Sequence, residues 1–257
     1  MTDRPILFSG PMIRALLEGR KTQTRRVFKG IEADGNGTFH IFNRHGGLIG
    51  VSEADVPTEA PDYVPYAGGD RLWVRETHSF LPRTAYRGSV GTGTIEQVEH
   101  PTDGYTAAVF REGFDRSGRP RWRPGIHMPR WASRLTLIVT DVRVERLQEI
   151  SEADALAEGV IRQDPTPDDE DWNLRWSAEQ GLAPEPMSPV WLAPGTRQDY
   201  GPRRDEPLWG PTPEFAFRLL WDSLNASRGF GWDANPWVVA ISFDVIQQNI
   251  DAMGEAA

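Results

Sequence analysis

At 257 residues, with 25% charged and 39% hydrophobic side chains, the chain suits one large domain or two small ones and is too apolar for wholesale disorder. It has no cysteine, which excludes disulfides, a thiol nucleophile and thiolate zinc sites; it has no apolar run near the ~20 residues of a bilayer span and no cleavage signature behind Pro5-Ile6-Leu7-Phe8, so a cytoplasmic protein with no membrane partner is expected. The net charge of −9 is local, because residues 149–186 carry eleven acidic side chains against Arg162 and Arg175 and the remainder is neutral overall.

In chain order, Pro11 to Glu18 reads as a short helix. Ser9 or Gly10 can cap it, Pro11 suits its first turn, Met12, Ile13, Leu16 and Leu17 form an apolar face, and Gly19 can end it in a left-handed conformation. The polar run from Arg20 to Arg26 follows on the loop or strand that leaves the helix. Residues 30–66, rich in Gly, Pro and acids, read as an insertion with a hairpin around Phe39-His40-Ile41-Phe42. After the Gly69-Asp70 turn, Arg71 to Glu76 is a strand with Leu72 and Val74 on one face and Trp73 and Arg75 on the other.

Residues 80–130 read as an irregular insertion apart from a strand near Tyr105–Phe110. Ser133 to Leu147 alternates, through Leu135, Leu137 and Val139 and then Val142 and Val144, as a long strand or a bent pair. Ser151-Glu152-Ala153-Asp154 has the form of a capping box, opening a short helix that Gly159 closes after Glu158. Residues 161–211 form an acidic, Pro- and Trp-rich insertion. Thr212-Pro213-Glu214 then starts the strongest helix, whose buried face is expected to carry Phe215, Leu219 and Leu220, extended by Trp221 and Leu224. Trp237 to Ile246 closes the domain as a strand, and residues 247–257 are expected to fray. The pattern predicts a single α+β domain over 1–246, a small mixed barrel with flanking short helices, rather than a doubly wound sheet; Gly-rich phosphate loops are absent.

Two stretches are basic. Six Lys or Arg against Glu18 lie between Arg14 and Lys29, and seven Arg against Glu112 and Asp115 lie between Arg111 and Arg134. On an acidic body such patches focus an anionic ligand. In the second, Arg119, Arg121, Arg123 and Arg130 interleave with Trp122 and Trp131 in a manner suited to nucleic acid.

Gly19-Arg20-Lys21-Thr22-Gln23-Thr24-Arg25 resembles the G-x-K-T-x-T-x-R signature of ASCH domains, relatives of the PUA RNA-binding barrel. Gly69-Asp70 before Leu72-Trp73-Val74, the segment Leu147 to Gly159, and the last helix and strand with Asn235-Pro236-Trp237-Val238 occur in the family's order, so the resemblance covers about 100 of the 257 residues. It implies a PUA-like fold with RNA or a modified nucleoside as ligand, and the length resembles the insertion-bearing members carried by phages. One ASCH subgroup removes acetyl groups from N4-acetylcytidine. Its catalytic Lys and Thr match Lys21 and Thr24, and its catalytic Glu, aligned without a gap along Ile150 to Glu158, matches Glu158.

The residue types suit that reaction. A threonine hydroxyl becomes nucleophilic when a base takes its proton, and a lysine is such a base where desolvation or cations such as Arg20, Arg25 and Arg26 loosen its own proton. A carboxylic acid, Glu158, can then protonate the leaving amine. Arg20, Thr22, Arg25, Arg26, Trp73, Arg75 and Glu76 are the candidate ligand-binding residues. The residues alone leave three uses of this set open: catalysis, ligand binding without catalysis, or ordinary strand and helix surface. A protein partner for the insertions 30–66 and 161–211 is the alternative from another class. Asp168-Asp169-Glu170-Asp171 lacks the spacing of a calcium loop, and His40, His45, His78, His100 and His127 show no paired ligand spacing, so neither a metal nor a cofactor is expected.

Overall fold

The computed structural model describes residues 2–42, 47–86, 91, 95–118, 120–183, 185, 187–195 and 209–254. In chain order these form β1 (Asp3–Leu7), α1 (Gly10–Leu17), β2 (Gln23–Val27), β3 (Ile31–Ala33), β4 (Thr38–Phe42), β5 (Leu48–Ser52), α2 (Val56–Glu59), β6 (Arg71–Arg75), β7 (His78–Pro82), β8 (Gln97–Glu99), β9 (Thr106–Phe110) and β10 (Thr136–Arg146). There follow α3 (Glu152–Ala157), β11 (Ile161–Gln163), α4 (Pro167–Gln180), β12 (Val190–Leu192), β13 (Trp209–Gly210), α5 (Pro213–Asn225) and β14 (Trp237–Ile246). Two compact units result, Met1–Arg146 with Trp237–Ala257, and Leu147–Pro236. The class is α+β, and no helix among the described residues is long and apolar enough to cross a membrane.

The first unit is built on a five-stranded sheet in the order β1-β6-β10-β14-β2. β1 runs parallel to β6, with Asp3 opposite Arg71, while β10, β14 and β2 are antiparallel to their neighbours. Because β6 lies between two strands and is covered on both sides, Leu72, Trp73 and Val74 are all buried, not only Leu72 and Val74. The expected barrel does not close through its backbone: β1 and β2 are the two edges of this sheet, and side chains bridge them instead. The Arg26 guanidinium donates to Leu7 O at 2.9 Å.

β10 explains the parity switch in its apolar residues. Its register against β14 slips between Val139 and Asp141, so one extra residue moves the inward set from odd positions (Leu137, Val139) to even ones (Val144). It is one bulged strand rather than two. The stretch 30–66 carries a three-stranded sheet, β3-β4-β5, where a hairpin was expected. Residues 80–130 are less irregular than their Gly and Pro content suggests, since β7, β9 and β8 form a third sheet over a cluster of Ala108, Phe110, Met128 and Ala132.

Residues 247–254 do not fray. Asn249 Nδ2 donates to the carbonyls of Arg130, Trp131 and Ser133 at 2.7–3.0 Å, Ile250 is buried, and Arg130 pairs with Asp251. A chain end docked by buried apolar area and satisfied carbonyls is ordered whatever its position in the sequence. At the other end, Asp3 holds Arg71 through both oxygens (2.7 and 2.8 Å) and also Arg130 (2.5 Å), and these cations keep its carboxyl below the ordinary range, Arg71 foremost.

His78, at the start of β7, is wholly buried. Its ring lies 4.9 Å from that of Phe80, Nδ1 is 3.1 Å from Glu76 O, and Nε2 has no hydrogen-bond partner among the described residues. Burial foremost, then the nearby Arg123, His127 and Arg75, push its pKa down from 6.5. The unfolded chain therefore binds a proton at a pH where the folded one does not, so His78 contributes stability above its unfolded pKa that is lost as pH falls below it. Urea titrations at pH 7.5 and 5.5 are expected to show a loss that His78→Phe diminishes; an unchanged loss in the variant contradicts this account.

In the second unit β11, β12 and β13 form a three-stranded sheet, and α5 packs on β12 and β13. The buried face of α5 is rotated from expectation: Ala216, Phe217, Leu220 and Trp221 point inward, while Phe215 and Leu224 are 42% and 50% exposed. Periodicity left two overlapping apolar arcs, and the larger inward contact falls to the one with Phe217 and Trp221, whose Nε1 also bonds Phe230 O at 2.7 Å. The acidic run 168–171 opens α4, where Thr166 and Asp169 form a capping box and the carboxylates meet the positive end of the helix.

Candidate functional site

The Lys21 segment is shaped by the end of α1. Gly19 takes a left-handed φ of 70°, and the amides of Arg20 and Lys21 both reach back to Ala15 O at 2.9 and 3.1 Å. This tight return sends the Lys21 side chain inward. Lys21 is 0% exposed, its Nζ donates to Gln23 O at 2.7 Å, and that nitrogen lies 5.8 Å from the centre of the Phe8 ring. Thr24 enters β2 opposite Ile241 and is 4% exposed.

The alternation of β2 then divides the signature between two faces. Gln23 and Arg25 point to one: Arg25 Nε and Nη2 hold Glu145 Oε1 at 3.0 and 2.6 Å, Nη1 takes Gln23 Oε1 at 2.5 Å, and Gln23 Nε2 donates to Ser242 Oγ at 3.1 Å. Thr24 and Arg26 point to the other, where the Arg26 guanidinium carbon is 5.2 Å from the Phe8 ring centre. Lys21 and Arg26 thus meet at Phe8, Thr24 shares the strand face of Arg26, and Arg25 belongs to a structural network. Thr22 precedes the strand and is exposed, and Arg20 pairs with Glu18 at 2.5 Å on the surface.

Trp73 and Arg75 share a face as expected, but Arg75 lies over the Trp73 ring at 4.9 Å and donates from Nε to Met128 O at 3.1 Å. That ring face is already covered. Glu76, 2% exposed, is not a surface charge at a strand end: Arg134 grips both its oxygens at 2.8 Å and also reaches Glu96 and the Glu112 carbonyl. Burial pushes the Glu76 carboxyl up and Arg134 opposes that push, burial being the larger; the two carboxylates hold Arg134 in its charged form.

Glu158 belongs to the second unit. Ser151 Oγ accepts from Asp154 N and Asp154 answers with its carboxylate, the expected capping box, and α3 ends at Glu158 before Gly159 turns with a φ of 100°. Glu158 is 3% exposed, a buried carboxyl rather than a solvated helix end.

Compared with protein-family models, with curated proteins and with solved structures, the chain gives no significant match. The functional reading therefore rests on residues and geometry.

The basic and aromatic stretch is not one continuous strip. Trp131 stacks on Phe80 at 5.2 Å, Trp122 packs edge-on to Phe114, and Arg130 is held by Asp3 and Asp251, which leaves Arg121 and Arg123 at the surface; Arg119 and His45 lie outside the described residues. Among the described residues no cluster of three or more His, Asp or Glu is arranged to hold a metal. Sequence reasoning missed Phe8, the ring shared by Lys21 and Arg26. It also missed a count: of 28 basic side chains only Lys21 and Lys29 are lysines.

Proposed function

We propose that this is an ASCH-type, PUA-like cytoplasmic protein that binds RNA or a modified nucleoside at the Lys21–Arg26 segment and hydrolyses an N4-acylated cytidine there. The observation that carries this reading is Lys21. In a chain that uses arginine almost everywhere else, a lysine stands at this position, wholly withdrawn from water, three residues before a buried threonine. Only an amine, not a guanidinium, can give up its proton near neutral pH.

In the proposed reaction the Lys21 amine takes the proton of Thr24 Oγ as that oxygen attacks the acyl carbon. The bond from carbon to N4 breaks, the departing N4 takes up the proton that Lys21 now carries, and water then releases the acid from Thr24. The test is incubation of the protein with a panel of modified nucleosides and mass detection of products. Cytidine and acetate from N4-acetylcytidine are expected. No product from any member, together with no binding of RNA oligomers at low salt, ends the reading.

A second reading is favoured by one observation. The insertion 161–211 displays Leu174, Trp176, Leu182, Met187 and Trp209 at the surface, side chains that a partner protein would cover. Under it, a defined partner bound by the wild type is lost in Leu174→Asp/Leu182→Asp, while nucleoside chemistry is absent from both.

A further inference from the structure

Phe8 leaves the end of β1 with its direction fixed, since its amide donates to Arg75 O at 3.2 Å, one step beyond the parallel pairing of Leu7 with Arg75. Its ring is buried and carries two cations, Lys21 Nζ at 5.8 Å and the Arg26 guanidinium at 5.2 Å from the centroid. Arg26 is tied to Leu7 O as well, so the ring and the guanidinium are anchored to the same turn of chain. An aromatic face attracts a cation within about 6 Å, more strongly once water is removed, and an aliphatic side chain of similar size offers no such face.

We infer that Phe8 is a positioning residue of this site: its ring holds the Lys21 ammonium in place, and it carries Arg26 as well. The placement stands on geometry alone; its effect on turnover rests on the reaction proposed above.

The two lysines make the test direct. Protein labelled with carbon-13 at the lysine ε position gives two signals, from buried Lys21 and exposed Lys29. The Lys21 ε protons are expected upfield of those of Lys29, because the ammonium they adjoin lies over the Phe8 ring. Phe8→Leu removes the displacement and Phe8→Tyr keeps it; Phe8→Met repeats the Leu result if Phe8→Leu folds poorly. In turnover of N4-acetylcytidine, Phe8→Leu lowers kcat about tenfold with KM nearly unchanged, because the ammonium has lost the ring that positions it. Phe8→Tyr restores kcat. A displacement that persists in Phe8→Leu, or is lost equally in Phe8→Tyr, overturns the inference. If the lysine signals behave as stated but no protein turns the nucleoside over, the reaction is wrong and the role of Phe8 holds.

Discussion

Under the proposed reaction, Lys21→Arg is expected to lower the hydrolysis of N4-acetylcytidine by about a thousandfold, and Thr24→Ala by at least as much. Arginine keeps the positive charge and can still donate to Gln23 O, so the binding of an anionic ligand survives while proton transfer stops. The two substitutions act on one step, so the double variant is no slower than the slower single one. Initial rates by mass detection, beside melting curves to show that each variant folds, check this. A Lys21→Arg enzyme within tenfold of wild type excludes Lys21 as the base.

Glu76→Ala destabilises the protein by about 3–5 kcal/mol, because it strands the buried Arg134 cation, which cannot shed its charge and is left with Glu96 alone of its two carboxylate partners. The reverse deletion is milder and depends on pH. In Arg134→Met the remaining carboxyl is already pushed upward by burial, and it escapes the penalty by taking a proton. For a carboxyl whose folded pKa lies above its unfolded value, stability is full below the unfolded value and is lost as pH rises through the folded one. Urea titrations followed by circular dichroism should show Arg134→Met closer to wild type at pH 5 than at pH 8. Equal losses at both values, or a Glu76→Ala cost below ~1 kcal/mol, contradict the described pair.

Much of the framework was legible in the residues. The helix before Gly19, the capping box at Ser151 and the closing strand are set by local chemistry, and local chemistry is what a sequence displays. The parity switch in Leu135 to Val144 was visible too, although only the slip against β14 shows that it marks a bulge. The role of Arg25 was hidden because its partner Glu145 is 120 residues away, and the pair forms only when β2 and β10 lie on either side of β14. Glu76 was hidden for the same reason, since Arg134 lies 58 residues on. The face of α5 was misread because two apolar arcs overlap on it and tertiary packing chooses between them. Within the site, Lys21 and Thr24 could be named from the signature, but Phe8 follows β1, a different part of the chain, and reaches Lys21 only through the fold.

The central claim is that the Lys21 segment receives a nucleoside or an RNA strand. The most direct measurement follows the two lysine ε signals while N4-acetylcytidine, cytidine and a single-stranded RNA oligomer are titrated into the Thr24→Ala protein, which binds without turning over. The account predicts that the Lys21 signal shifts and saturates with at least one of them while Lys29 stays where it is. If Lys21 remains still at saturating concentrations of all three, or only Lys29 moves, the site described here is not where this protein meets its ligand.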